Sequence, residues 1–96
     1  MPADSSGNTS LRKHELADFK VYPNPARDQV AFAYMLPTER PVHVQLFDLQ
    51  GRMVLDQPMK SSGDLLSVNR LEQGVYQVLL IDEDAVLARS RLLLLR

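Results

Sequence analysis

The sequence predicts an all-β domain, a seven-stranded antiparallel immunoglobulin-like β-sandwich. Three observations predict it. Short apolar runs, most of them alternating with polar residues, recur along the chain, seven in all. Clusters of Pro, Gly, Asp, Asn and Ser separate them at intervals of about ten residues. No stretch carries the apolar period of about 3.6 residues that an amphipathic helix needs.

Ser, Gly, Asn and Asp dominate the first 13 residues, and the expected division is a flexible linker over residues 1–15 and one domain over residues 16–96. Leu16 to Tyr22 alternates weakly and predicts the first strand. Pro23-Asn24-Pro25 ends it: two prolines fix φ, remove two amide donors and push Tyr22 and Asn24 toward extended geometry, which makes a rigid corner. Gln29 to Leu36 predicts the second strand, with Val30, Phe32 and Tyr34 on one face and alanines on the other. A loop bounded by Pro37 and Pro41 follows.

Val42 to Leu55 reads as a strand, a tight turn and a strand, and the other strands are expected to pack on this hairpin. Val42, Val44 and Leu46 alternate with His43, Gln45 and Phe47. Gly51 is the expected positive-φ residue of the turn, and Asp48 stands where a carboxylate can accept from turn amides. Pro58 either ends the fourth strand or marks it as an edge. Leu65 to Val68 predicts a short fifth strand, and Asn69 to Gly74 a turn or a single helical turn closed by glycine. Val75 to Ile81 is nearly continuously apolar, which predicts a central strand covered on both faces. Asp82-Glu83-Asp84 predicts a solvated hairpin turn, and Val86 to Arg96 the last strand.

A chain of 96 residues buries one thin core and leaves little room for a deep enclosed active site. The net charge of −1 gives no field for nucleic acid or an anionic membrane. With no cysteine there is neither a disulfide nor a thiolate metal site. No apolar run approaches the ~20 residues of a membrane helix. No signal peptide is visible at the polar N-terminus, and its linker composition favours a piece of a longer chain over a cytoplasmic protein.

Chemistry-bearing constellations are scarce. His14 and His43 are expected to be solvated, neither beside a second ligand at metal spacing. No serine lies in a Gly-x-Ser-x-Gly elbow, and the four glycines are scattered singly, so no loop cradles a phosphate. Asp82-Glu83-Asp84 lacks the glycine and distal glutamate of an EF-hand and reads as a charged turn. No cofactor and no catalysis are expected. The feature left over is Leu92-Leu93-Leu94-Leu95. A strand sends two of these leucines inward and two outward. Outward leucines on an edge are either covered by a loop or offered to a partner that adds a strand.

Four features in order are more specific than any one alone: Val21-Tyr22-Pro23-Asn24-Pro25, Leu46-Phe47-Asp48-Leu49-Gln50-Gly51-Arg52, Leu71-Glu72-Gln73-Gly74-Val75-Tyr76, and a basic-apolar terminal strand. Together they resemble the C-terminal sorting domain of type IX secretion cargo, the Por secretion tail of type A, over about Phe19 to Arg96. The resemblance implies a seven-stranded immunoglobulin-like sandwich at the end of a secreted or surface protein of a Gram-negative bacterium. It implies a non-catalytic signal that takes a cargo domain of the same chain from the periplasm across the outer membrane. The implied partners are the outer-membrane translocon, its shuttle protein and a sortase that removes the domain or anchors the cargo, at a point before about Phe19. The implied destination is the cell surface or the extracellular space.

On that resemblance, Pro23, Asn24, Pro25, Asp48, Gly51, Arg52, Leu71, Gly74, Val75 and Tyr76 are motif residues with mainly folding roles, and Tyr76 is expected to bury its ring and find a partner for its hydroxyl. Arg89, Arg91, Leu92, Leu93, Leu94, Leu95 and Arg96 are the expected recognition residues. The family usually carries a lysine ahead of the terminal apolar run, where Arg89 or Arg91 stands here, and its run is richer in β-branched residues. Removal of Leu92 to Arg96 is expected to block export while leaving the sandwich largely folded. A homodimer through the last strand is a further expectation, and no nucleic acid is. The alternative reading is a non-catalytic carbohydrate- or protein-binding sandwich of a secreted enzyme, which would need an exposed aromatic platform or a calcium site.

Overall fold

The computed structural model describes residues 18–36, 40–83 and 85–96. The expected linker, His14, the start of the first predicted strand at Leu16, the Pro37 side of the second loop and Asp84 all lie outside them. Among the described residues seven strands form two sheets: β1 (Lys20–Tyr22), β2 (Gln29–Ala33), β3 (Val42–Phe47), β4 (Met53–Met59), β5 (Leu65–Ser67), β6 (Gly74–Asp82) and β7 (Ala85–Leu94). One sheet has the order β1-β2-β5 and the other β4-β3-β6-β7. Every neighbouring pair of strands is antiparallel.

The core lies between the sheets. Val30 and Phe32 of β2 and Leu66 of β5 face Val44 and Leu46 of β3, Val78 and Leu80 of β6, and Leu92 and Leu94 of β7. Phe32 stacks on Phe19, ring centroids 6.2 Å apart and planes 5° from parallel, so the residue ahead of β1 closes that side of the core. In β7 the alternation breaks where the register shifts against β6: Leu87 and Ala88 are both buried, as a bulge turns an extra residue inward. Pro58 lies inside β4, an edge strand, where its missing amide costs no ladder bond.

Several expectations shift. β2 stops at Ala33, where the amide of Tyr34 turns to Ser62 Oγ at 3.0 Å. β6 is central, but only one of its faces is covered. Tyr76, Val78 and Leu80 point into the core, while Val75 is 38% exposed, Gln77 is exposed and Leu79 half-buried on the outer face. An antiparallel sheet tolerates this, since its second face needs no cover. β7 ends at Leu94, so Leu95 and Arg96 lie beyond the strand. At the β6–β7 turn Glu83 takes a positive φ of 53°, and Asp82 pairs with Arg40. His43 is half-buried, its Nδ1 2.6 Å from Asp56 Oδ1.

Candidate functional site

The motif segments, far apart in sequence, gather at the end of the sandwich where the chain terminates. The antiparallel ladders bring them there. Phe47 pairs with Gln77, which sets the β3–β4 turn beside the start of β6, and Gly74 pairs with Leu94, which sets the end of β7 on the same level. The loop after β5 closes the group, as the amide of Val68 donates to Asp28 O at 2.8 Å.

The β3–β4 turn is held by Asp48. Its Oδ1 accepts from the amides of Gln50 at 3.0 Å and Arg52 at 2.9 Å, and its Oδ2 from Arg52 Nε at 2.9 Å. The Arg52 amide above all lowers the pKa of the carboxyl; desolvation opposes it, and the Arg52 guanidinium and the Gln50 amide add to the lowering. Gly51 supplies φ of +85°, which a side chain would strain. Across from this turn, Tyr76 is buried and donates its hydroxyl to Glu72 O at 2.6 Å. Burial first, then the charges of Glu72 and Asp48, raise its pKa, with Arg96 acting the other way. The bond ties β6 to the turn ahead of it, where Gly74 takes φ of +149°.

The Pro-Asn-Pro corner lies along the outer edge of β7. Both peptide bonds that precede its prolines are cis. Asn24 Nδ2 donates to Arg91 O at 2.8 Å, and Asn24 Oδ1 accepts from the Leu93 amide at 3.0 Å. A carboxamide carries one acceptor and one donor group, and here it stands in for a peptide of a neighbouring strand. Ala26 continues the seam with its own backbone: its amide donates to Leu93 O at 2.8 Å and its carbonyl accepts from the Leu95 amide at 2.9 Å. Ala26 and Leu94 thus form a parallel bridge, and Ala26 is fully buried.

The expected recognition residues divide by environment. Leu92 and Leu94 are fully buried. Leu93 is half-buried, and Leu95 is 40% exposed. Arg89 and Arg91 project from the outer face of the four-stranded sheet, opposite Leu79 and Gln77 of β6. Arg96 turns back on the fold: its guanidinium donates to the carbonyls of Arg27, Val68 at 2.6 Å and Leu71, with Asp28 Oδ1 at 3.5 Å. It clamps the β1–β2 corner to the loop after β5. Neither this clamp nor the Asn24 seam was visible in the sequence. Their targets are main-chain groups, which any residue supplies, and an asparagine held between two prolines was the only signal.

A truncation at Leu92 would remove two fully buried side chains and the clamp. The truncation is therefore expected to destabilise the sandwich as well as to block export. Among the described residues no group of three or more His, Asp or Glu could hold a metal ion. Of the aromatics, Tyr22 is exposed, Phe19 and Tyr34 are half-buried against the core, and Phe47 is half-buried.

A family model described as a secretion system C-terminal sorting domain matches residues 20–93. No curated protein sequence matches the chain. Among solved structures, the chain is similar to part of a β-glucuronidase from Ruminococcus gnavus. The similarity holds in its apo form and in its complexes with D-glucaro-d-lactam and with uronic isofagomine, each at 25% identity and a TM-score of 0.55. The match covers 80% of this chain but 14–15% of the glucuronidase, so the likeness is that of one β-domain.

Proposed function

The chain belongs to the family of secretion system C-terminal sorting domains, and from that membership we propose how its export signal is carried and used. The family is that of the type IX system; its domains end exported cargo, are non-catalytic, and send it to the cell surface or the extracellular space. In our reading the cargo waits in the periplasm, the outer-membrane translocon and its shuttle protein capture the folded domain, and a sortase then removes the domain or anchors the cargo. The observation that carries the reading is the extent of the family match, which spans all three internal motif segments and most of β7.

Recognition is assigned to the end of the sandwich that bears the terminal strand. Arg89, Arg91, Leu93 and Leu95 are the residues there that a partner can reach, whereas Leu92, Leu94 and Arg96 act by holding the strand in place. A homodimer through the Leu93–Leu95 edge would first have to displace Asn24 and Ala26, which occupy the same groups. The test fuses the full chain to a reporter with a signal peptide, in a host with type IX machinery. The reporter is expected at the surface or in the medium. A reporter left in the periplasm contradicts the reading.

The likeness to one domain of a glycoside hydrolase favours one second reading, a non-catalytic carbohydrate-binding module. Selective binding of the isolated chain on a glycan array would support it.

A further inference from the structure

Resting on the sorting-domain reading, we propose that the receptor docks on the outer face of the four-stranded sheet, against a hollow beside the terminal strand. It presents an apolar side chain flanked by a carboxylate, and it adds no strand to β7.

Strand addition would need the outward main-chain groups of β7 near the terminus. Four consecutive ones are already bonded: Arg91 O and Leu93 N to Asn24, Leu93 O and Leu95 N to Ala26. A fifth strand would exchange these bonds for equivalent ones, with little net gain. The remaining handle on the terminal strand is its side chains, and the inward ones are fully buried.

One outward side chain of the strand, Arg91, borders a shallow hollow of about 560 Å³. Phe47, Val75 and Leu79 give it an apolar lining, with Gln77 between them and Arg91 at the β7 side. The register explains the grouping, since Phe47, Gln77 and Arg91 form one cross-strand row over β3, β6 and β7. The charge at the rim is directional. Asp48 also borders the hollow, but its carboxylate is taken up by Arg52 and the turn amides. The guanidinium of Arg91 is exposed, and no described residue pairs with it. An apolar floor with one available cation fits an apolar side chain beside a carboxylate, in the manner of an anchor residue with a charged neighbour.

The reporter fusion tests this with point variants of the full chain, the charge variants each checked for an unchanged melting temperature and Asn24→Ala compared at a temperature where it is still folded. Arg91→Glu is expected to cut export about tenfold or more, the loss of one charged contact with repulsion added. Gln77→Glu, directly across from Arg91, should lower export in the same direction, and Arg91→Lys should keep most of it. Lys20→Glu, the same charge reversal on an exposed residue of β1 in the other sheet, should export like the parent. Asn24→Ala, which unseals part of the edge, should export no better than the parent.

Parental export by Arg91→Glu, or an equal fall with Lys20→Glu, would overturn the docking face. A gain with Asn24→Ala would overturn it in favour of strand addition. If the chain self-associates in sedimentation and Arg91→Glu restores the monomer, the face is an interface between copies and the proposal fails. A parent fusion that stays in the periplasm removes the sorting reading itself, and this proposal with it.

Discussion

Two regions at the same end of the sandwich solve the same problem by different means. In the β3–β4 turn and in the Pro-Asn-Pro corner, one polar side chain satisfies main-chain groups that the sheets leave over. Asp48 does so locally, for amides two and four residues away. Asn24 does so across the fold, for groups 67 and 69 residues away. A local device can form early and shapes only its own turn. A long-range one forms only when β7 is docked, so it reports that the terminal strand is in place. That property fits the proposed reading, in which the translocon captures the folded domain.

The comparison can be broken or sharpened by substitution. The largest effect is expected at the strand that the corner holds. Leu92→Ala leaves a cavity in the core and should destabilise the domain by about 2–5 kcal/mol, measured by chemical denaturation. Asn24→Ala removes both side-chain bonds of the seam and should cost about 1–2 kcal/mol, with Leu92 still buried. If it costs nothing, the corner is passive and the contrast with Asp48 collapses.

Gly51→Ala forces a side chain into φ of +85° and should cost about 1 kcal/mol, with its effect confined to the hairpin amides. The smallest effect is expected from Asp48→Asn, and it depends on pH. The folded carboxyl is held below its ordinary value. Its contribution is therefore complete above about pH 4, where the unfolded carboxyl is also ionised, and is lost as pH falls through the depressed folded value. Denaturation at neutral pH should show the variant weaker than the parent, and the gap should close in acid.

The same contrast marks what was legible in the sequence. The hairpin could be read because its signals, Asp48, Gly51 and the alternation of Val42 to Phe47, act within a few residues of one another. The number of strands and the split of the leucine run into inward and outward pairs followed from a period of two. The corner could be read as a corner, but its target could not, since nothing in Pro23-Asn24-Pro25 names Arg91 or Leu93. Arg96 shows the opposite case. As a terminal cation it suggested recognition, yet its partners are carbonyls of Arg27, Val68 and Leu71, brought together only by the loops. β6 misled for a related reason: an apolar run does not say which face has a neighbour, and Val75 and Leu79 have only the open side of the sheet.

The sealed terminal edge is the claim on which the rest depends, and amide hydrogen exchange on the full chain tests it most directly. The Leu93 amide on the edge strand and the Leu95 amide just beyond its end bond to Asn24 and Ala26 and not to β6, and an open edge would leave them to solvent. The account predicts that both are protected in the parent, and that Asn24→Ala releases Leu93 while Leu95, held by Ala26, stays slow. Exchange of both amides at unprotected rates in the parent would contradict it.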